Sequence, residues 1–385
     1  ITNKFGRKKP LFITAFPTII SWILVLIAPN VYYLYASRLL AGFFGGGVYV
    51  IVPLYLSELS NNRIRGALIS SLVLSESFGI VLAFIFGHYF DFYTLPILVI
   101  SLMSLFAFLL YFFPETPTFL VKQHRILQAE KSIRFYQNLS EGYKEDKLVK
   151  MEINKLTNNE EESKKKTIKW SDLTAIPVRR AFTIGIVLIV LNELSGFLAM
   201  LNYTANIFED AGSDLHPNVS AIVIGAIQLF GTAIAMNLVD RTGRKILFAV
   251  SNIGTALGFI VLGVYMMFKL RDYPVEDFNW IPVMSFSFIS LIASLGIVSL
   301  PLLVFSEVVP EKLKDFGVAA YLTLSYLAAS VLIKYLPIII DSVGFDMSMF
   351  LFAGLCVACE VYIIFSVPET KGKSHEDIIE AMTAH

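Results

Sequence analysis

The chain of 385 residues is 56% hydrophobic and 16% charged, with a mean hydropathy of +0.67, whereas an average soluble domain carries about 25% charged residues. This composition excludes an ordinary soluble domain. The formal net charge is zero, so no basic excess indicates a nucleic-acid partner, and no glycine-rich phosphate loop or catalytic-triad motif indicates an enzyme or a cofactor.

Apolar runs of about twenty residues predict membrane helices. The sequence contains ten such runs, four before a polar middle segment and six after it: 10–29, 32–56, 67–90, 95–113, 180–208, 218–239, 247–268, 281–306, 316–340 and 346–366. Prolines inside these runs are predicted to mark bends rather than helix ends, because neighbouring helices or water can satisfy the carbonyls that proline leaves free. They are Pro17, Pro53, Pro301 and Pro337. We therefore predict an all-α membrane protein.

Lysine and arginine are concentrated in one alternating set of loops, which the positive-inside rule places in the cytoplasm. This set includes the loops around Arg7, Arg63, Arg244 and Lys371 and the polar segment 121–178. Both ends of the chain as given are therefore predicted to be cytoplasmic.

The polar segment 121–178 is predicted to be a helical linker. Apolar residues at helical spacing predict one helix over 123–138, and a second, weaker helix is predicted over 144–157. The charged run 160–166 that follows is typical of a solvated linker.

Three motifs occur twice in the same order along the chain, which indicates a parallel internal repeat. The pairs are Asn3 to Lys8 with Asp240 to Lys245, Pro53 and Glu58 with Pro301 and Glu307, and Pro114-Glu115-Thr116 with Pro368-Glu369-Thr370. The repeat predicts two pseudo-symmetric helix bundles. The predicted domains are a four-span bundle at 1–120, the linker at 121–178, a six-helix bundle at 179–367 and a cytoplasmic tail at 368–385.

An ordered set of motifs resembles the sugar porters of the major facilitator superfamily, and within them the insect facilitated trehalose transporters. The motifs are Gly6-Arg7-Lys8, Arg38 with Gly42, Pro53-Leu54-Tyr55 with Glu58, Arg65-Gly66, Pro114-Glu115-Thr116-Pro117, Leu194-Ser195-Gly196, the hexamer from Asp240 to Lys245, and Pro368-Glu369-Thr370-Lys371-Gly372. The sequence from Ile207 to Ser213 resembles the outer end of the seventh helix in trehalose-type porters. The resemblance implies the major facilitator fold.

The resemblance also implies that charges at helix ends form a salt-bridge clasp, which releases as the two halves rock against each other. Gly243 adopts a positive φ at little cost, which suits a tight turn in this motif. The alternative is that these charges only set the membrane topology. The residues implied in the clasp are Arg7, Arg38, Glu58, Arg65, Glu115, Asp240, Arg241, Gly243, Arg244, Glu307 and Glu369.

The residues implied in sugar binding depart from the family pattern. They are Asn192, Glu193, Asn202, Tyr203, Ser325 and Tyr326. The family carries paired glutamines in the seventh helix, whereas ionised Glu193 only accepts hydrogen bonds. Leu198, Val73 and Leu302 stand where many sugar porters have an asparagine, a glutamine and a tryptophan.

Apart from Arg38, which is assigned to the clasp, and residues at the ends of the spans, four ionisable side chains lie within the predicted spans, where charge is costly and usually faces a cavity or a partner. Glu193 is the preferred functional candidate, with Glu76 second. Lys334 and Glu360 lie nearer helix ends, and the favoured interpretation is that they snorkel towards the membrane surface. Two cysteines, Cys356 and Cys359, are predicted to be packing residues without a disulfide or a metal.

The leading hypothesis is that the protein transports a sugar, a hexose or a trehalose-like disaccharide, across the cell membrane. A facilitative uniporter without a cofactor is favoured over a proton-coupled symporter, in which Glu193 or Glu76 would carry the proton. The alternative is a non-transporting sugar sensor or a degenerate paralogue. The oligomeric state is not predicted.

The internal repeat gives one further expectation. In the second half, two predicted helices (180–208 and 218–239) precede the motif at Asp240, whereas no predicted helix precedes the equivalent motif at Asn3. We therefore expect that the first two of twelve membrane helices are missing upstream. We also expect that the 385-residue chain alone gives no sugar uptake.

Overall fold

A computed structural model describes residues 5–60, 65–139, 142–164, 176–211, 216–310, 313–371 and 373. Regular structure in these ranges is helical. The helices before residue 165 are α1 (Lys8–Leu26), α2 (Val31–Leu59), α3 (Arg65–Tyr89), α4 (Thr94–Phe112), α5 (Pro117–Lys122), α6 (Ile126–Gln137) and α7 (Tyr143–Lys164). Those after it are α8 (Ile176–Leu194), α9 (Phe197–Asn202), α10 (Thr204–Ala211), α11 (Pro217–Thr242), α12 (Arg244–Lys269), α13 (Ile281–Leu295), α14 (Pro301–Val308), α15 (Lys314–Val343) and α16 (Phe345–Ser366), with a short 3₁₀ helix at Glu276–Phe278.

Eight helices in the described ranges are long and apolar enough to cross a membrane, and α13 is a shorter apolar helix. The prediction of an all-helical membrane protein is confirmed, but the count of ten spans is not. Two predicted spans are each divided into shorter helices. The run 180–208 becomes α8, α9 and α10, and the run 281–306 becomes α13 and α14.

The break between α8 and α9 lies at Ser195 and Gly196, because Gly196 adopts a φ of +75°, which lies outside the range of a right-handed helix. A Cβ atom at Gly196 would lie 2.5 Å from Phe352. The glycine therefore permits both the change of direction and the close approach of α16.

At the break between α13 and α14, Ser251 of α12 replaces the missing helical hydrogen bonds. Its Oγ donates to the carbonyl of Ile292 at 2.8 Å and accepts from the backbone N–H of Ile297 at 3.0 Å. Pro301 is the first residue of α14, a position that suits proline because a helix does not use that N–H. The prediction that Pro301 marks a bend was wrong, whereas Pro17, Pro53 and Pro337 lie inside their helices as predicted.

The chain divides into two compact units, residues 1–72 with 89–167 and residues 73–88 with 168–385. In the first unit, α1 packs against α2 and α4 around Leu11, Ile51 and Leu110. The helix predicted over 123–138 is α6, which packs with α5 and α7. The second predicted linker helix is longer than expected, because α7 extends into the charged run as far as Lys164.

The second unit has two apolar cores along its length. One is centred on Phe197, Phe286 and Phe352, and the other on Phe305, Leu188 and Ile363. In this unit α12 packs extensively against α13 and α16, and α8 packs against α15. Part of α3 also belongs here, since Ser77 and Thr232 of α11 share a hydrogen bond at 3.2 Å. The two cysteines, Cys356 and Cys359, are buried and free, as predicted.

Candidate functional site

In the first unit, the carboxylate of Glu58 joins three segments of the chain. Nη2 of Arg7 lies 2.8 Å from Oε1 of Glu58, and Nε of Arg7 donates to the same oxygen at 2.9 Å. The hydroxyl of Thr116 donates to the other oxygen at 2.7 Å. Both charged side chains are only 10% exposed, so water screens this ion pair less than it screens a pair on the surface.

A second carboxylate, that of Glu115, accepts hydrogen bonds from the backbone at the N-terminus of α1. Its Oε1 accepts from the backbone N–H groups of Arg7 at 2.9 Å and Lys8 at 3.0 Å, which are among the unpaired donors of a helix N-terminus. Gly6 makes this approach possible, because its φ is +91° and a Cβ atom there would lie 2.2 Å from Oε2 of Glu115. We call Arg7, Glu58, Glu115 and Thr116 the first clasp.

The second unit repeats this arrangement. Nη2 of Arg244 lies 2.8 Å from Oε1 of Glu307, and the hydroxyl of Thr370 donates to Oε2 of the same residue at 2.5 Å. Glu369 accepts from the backbone N–H groups of Arg244 and Lys245, each at 3.2 Å. We call Arg244, Glu307, Glu369 and Thr370 the second clasp.

The turn before α12 allows Glu369 to reach these donors. Gly243 has a φ of +98°, and a Cβ atom there would lie 3.2 Å from Oε2 of Glu369. Burial raises the pKa of Glu369, but the backbone N–H donors of Lys371, Lys245, Arg244 and Thr370 outweigh this effect and lower the pKa below its ordinary value. The carboxylate is therefore held in its ionised form.

A lysine follows the arginine in both clasps and makes an equivalent contact in each. Nζ of Lys8 donates to the carbonyl of Tyr111 at 2.7 Å, and Nζ of Lys245 donates to the carbonyl of Ile364 at 3.0 Å. These carbonyls lie in the last turns of α4 and α16, where cations are favoured. The sequence motifs predict that the basic residues of the hexamer, Lys245 among them, lie beside helix ends, but they predict no role for Thr116 and Thr370, although the repeated Glu-Thr dipeptide signals these two residues.

The other predicted clasp residues do not belong to either ion pair among the described residues. The side chains of Arg65 and Asp240 lie outside the part of the chain that the structure describes. The partner of Glu58 is Arg7. Arg241 is exposed, and its carbonyl accepts from Nζ of Lys371. Arg38 is exposed on α2.

Two of the predicted sugar-binding residues meet in the second unit. Glu193 of α8 is 4% exposed, and its Oε1 accepts from the hydroxyl of Ser325 on α15 at 2.9 Å. Asn192 is half-buried and lines a recess beside Asn252 and Pro301. Glu193 also interacts with the side chain of Asn192, the residue before it on α8.

The remaining predicted residues lie nearer the surface of this unit. Tyr203 is half-buried, and its hydroxyl donates to the carbonyl of Ile333 at 3.2 Å. Asn202 is exposed, and its Nδ2 donates to the carbonyl of Leu198 at 2.8 Å. Tyr326 is exposed on α15.

The snorkelling interpretation was wrong for Glu360. This residue is 3% exposed, and its Oε2 accepts from Nδ2 of Asn252 on α12 at 3.0 Å. Its position near a helix end did not reveal that it faces another helix. Lys334 is exposed, with Nζ 5.8 Å from the ring centre of Tyr335, and Glu76 is also exposed.

Residues 1–382 match the family model described as "Sugar (and other) transporter". The chain is 32% identical over 379 residues to a facilitated trehalose transporter Tret1 from Culex quinquefasciatus, which covers 98% of this chain and 72% of the relative. A Tret1 protein from Bombyx mori is 30% identical over 380 residues, covering 98% and 74%. A longer Tret1 protein from Drosophila virilis is 32% identical, and 41% of its length is covered.

Solved structures share the fold. The inward-open xylose transporter XylE from E. coli aligns with a TM-score of 0.78 at 22% identity, covering 99% of this chain and 84% of that chain. The proton:xylose symporter XylE bound to 6-bromo-6-deoxy-D-glucose aligns with a TM-score of 0.72 at the same identity and coverage.

Proposed function

Because the chain belongs to the sugar transporter family, we propose that it carries a sugar across a membrane by alternating access, as a facilitative uniporter. The single observation that supports the mechanism is the pair of clasps. Each unit holds its own buried or half-buried ion pair between helix ends. A bond of this kind stabilises one of two conformations that differ by a few kcal/mol.

The proposed substrate is a trehalose-like disaccharide or a hexose. The similarity to Tret1 proteins supports the disaccharide. The proposed sugar-binding residues remain Asn192, Glu193, Asn202, Tyr203, Ser325 and Tyr326. Amide, hydroxyl and carboxylate groups together can both donate to and accept from sugar hydroxyls.

We propose further that the protein lies in the cell membrane with its clasps and both ends of the chain in the cytoplasm, because the positive-inside rule assigns loops rich in lysine and arginine to that side. The proposed domains are the helix bundles at 1–120 and 179–367, the linker at 121–178 and the tail at 368–385. Membership of a transporter family and the eight long apolar helices of the described chain support a multi-pass membrane protein.

The test is uptake of labelled trehalose and of labelled glucose into liposomes that contain the protein expressed from its complete native reading frame. We expect saturable uptake that stops at equal concentrations inside and outside and does not depend on an imposed pH gradient. Accumulation driven by a proton gradient would replace the uniporter with a symporter. Stabilisation by sugar against heat without flux would indicate a sensor, and the absence of both signals would indicate a degenerate protein.

A further inference from the structure

Glu360 and Asn252 form a polar pair inside the second unit, and neither residue belongs to the clasps or to the proposed sugar-binding set. Glu360 lies on α16 and is 3% exposed, and Asn252 lies on α12 and is 1% exposed. Nδ2 of Asn252 donates to Oε2 of Glu360 at 3.0 Å. The apolar side chains of Leu188, Phe248 and Ile363 line the recess that Asn252 faces.

This hydrogen bond uses one polar atom of the Glu360 carboxyl group and one of the Asn252 amide, and it leaves the other polar atom of each group without a partner. Oε1 of Glu360 and Oδ1 of Asn252 are both buried, and neither has a hydrogen-bond partner among the described residues. Both atoms are acceptors when the glutamate is ionised, so they cannot bond to each other. Buried polar atoms of this kind are rarely left without a partner in native proteins.

A single proton satisfies both atoms. We propose that Glu360 is a proton-binding site, in which a proton on Oε1 is donated to Oδ1 of Asn252. The carboxylic acid and the amide then form a cyclic pair, each donating one hydrogen bond and accepting one. The proton comes from water and returns to water, so that binding forms one O–H bond and release breaks it. This inference does not depend on the proposed transport of sugar.

The surroundings of Glu360 favour the neutral acid. Burial in apolar surroundings disfavours a carboxylate, whose charge would have to be removed from water. The cation that attracts Glu360 is Lys245 of α12, whose Nζ donates to the carbonyl of Ile364 at 3.0 Å.

The other helices that pack against α16 bring no charge that contacts this pair in the described chain. Helix α8 contributes Asn192 to the recess, and the next residue, Glu193, bonds instead with Ser325. Helix α15 contributes Tyr321, which stacks on Phe305 in the same apolar core. On α16 itself the neighbouring titratable groups are the buried thiols of Cys356 and Cys359.

Infrared difference spectroscopy of the full protein at neutral pH tests the proposal directly. A protonated carboxylic acid gives a C=O stretching band that is separate from the bands of carboxylates and shifts in heavy water. We expect the wild-type spectrum to contain such a band that Glu360→Gln lacks, and we expect no accompanying loss of a carboxylate band. The exposed residue Glu209 provides the matched control, because Glu209→Gln should remove only carboxylate absorption.

Glutamine presents one donor and one acceptor in place of the protonated acid, so we expect Glu360→Gln to fold and to unfold at the wild-type temperature. Asn252→Leu removes the cyclic partner, and we expect it to shift the acid band to higher frequency and to lower the unfolding temperature. Loss of a carboxylate band in Glu360→Gln would show that Glu360 is ionised and would overturn the proposal. Failure of Glu360→Gln to fold, or an unchanged acid band in Asn252→Leu, would also overturn it.

Discussion

Nη2 of Arg244 lies 2.8 Å from Oε1 of Glu307, while Thr370 donates to the other oxygen of the same carboxylate. The side chain of Glu307, at the end of α14, therefore connects that helix with the start of α12 and with the segment after α16. Arg7, Glu58 and Thr116 connect the corresponding segments of the first unit. A change in one of these charges should consequently affect three helix ends at once.

We expect Arg244→Gln to reduce sugar uptake strongly while leaving surface expression close to the wild-type level. A hydrogen bond to a charged group contributes about 1.5–3 kcal/mol, which corresponds to a change of about tenfold to a hundredfold in a two-state equilibrium. The measurement is uptake per molecule at the cell surface. Arg271→Gln, at an exposed arginine on another loop, is the control and should change neither quantity. A parallel loss of expression and uptake in Arg244→Gln would favour a purely topological role.

The second clasp should weaken in acid. Because the pKa of Glu369 is lowered in the folded protein, its ionised form contributes stability that is complete above the ordinary glutamate value of 4.5 and is lost as the pH falls through the lower folded value. We expect the unfolding temperature of the wild type to fall in this acid range by more than that of Glu369→Gln. Identical pH profiles for the two proteins would show that Glu369 does not contribute in this way.

The two clasp glycines should differ in their tolerance of alanine. Both have a φ above +90°, and a side chain in that region costs about 1–3 kcal/mol. At Gly6 the new Cβ would also lie 2.2 Å from Oε2 of Glu115, compared with 3.2 Å from Oε2 of Glu369 at Gly243. We therefore expect Gly6→Ala to lower the unfolding temperature more than Gly243→Ala does. Equal effects would mean that backbone strain, rather than the contact with the carboxylate, decides the cost.

Glu193 gives a prediction about sugar binding. In Glu193→Gln the amide oxygen can still accept from Ser325, and the new NH₂ group can donate to a sugar hydroxyl, so we expect a lower KM for uptake with unchanged expression. Ser325→Ala should instead destabilise the protein by about 1–3 kcal/mol, because it leaves a buried carboxylate oxygen without its donor. Unchanged uptake kinetics in Glu193→Gln would argue against direct contact with the sugar.

The sequence was most informative where motifs occur twice. The repeated Pro-Glu-Thr and Gly-Arg-Lys segments predicted a clasp at helix ends, and the structure brings Arg244 to Glu307 and Glu369 to the start of α12. Repetition identifies residues that are under the same physical constraint, but it does not show which atoms of these residues bond with each other. The pairing of Glu58 with Arg7 and the donation by Thr116 became clear only from the geometry.

Hydropathy could not predict the breaks in the helices or the orientation of Glu360. The break after α13 depends on Ser251, a residue of another helix that bonds with Ile292 and Ile297. The burial of Glu360 depends on Asn252, which lies 108 positions away in the chain. Both features arise from contacts between distant segments, and a window of neighbouring residues contains no information about them.

The positions of the clasp residues along the chain determine the order in which their contacts can form during synthesis. The first clasp is complete once Thr116 has left the ribosome, so Arg7 and Glu58 can pair before the residues of the second clasp have been translated. The Ser77 hydroxyl, in contrast, must wait for its partner Thr232, and this part of α3 joins the second unit. The first clasp can therefore close before the second unit has been synthesised, whereas α3 can complete its packing only after α11 has been synthesised.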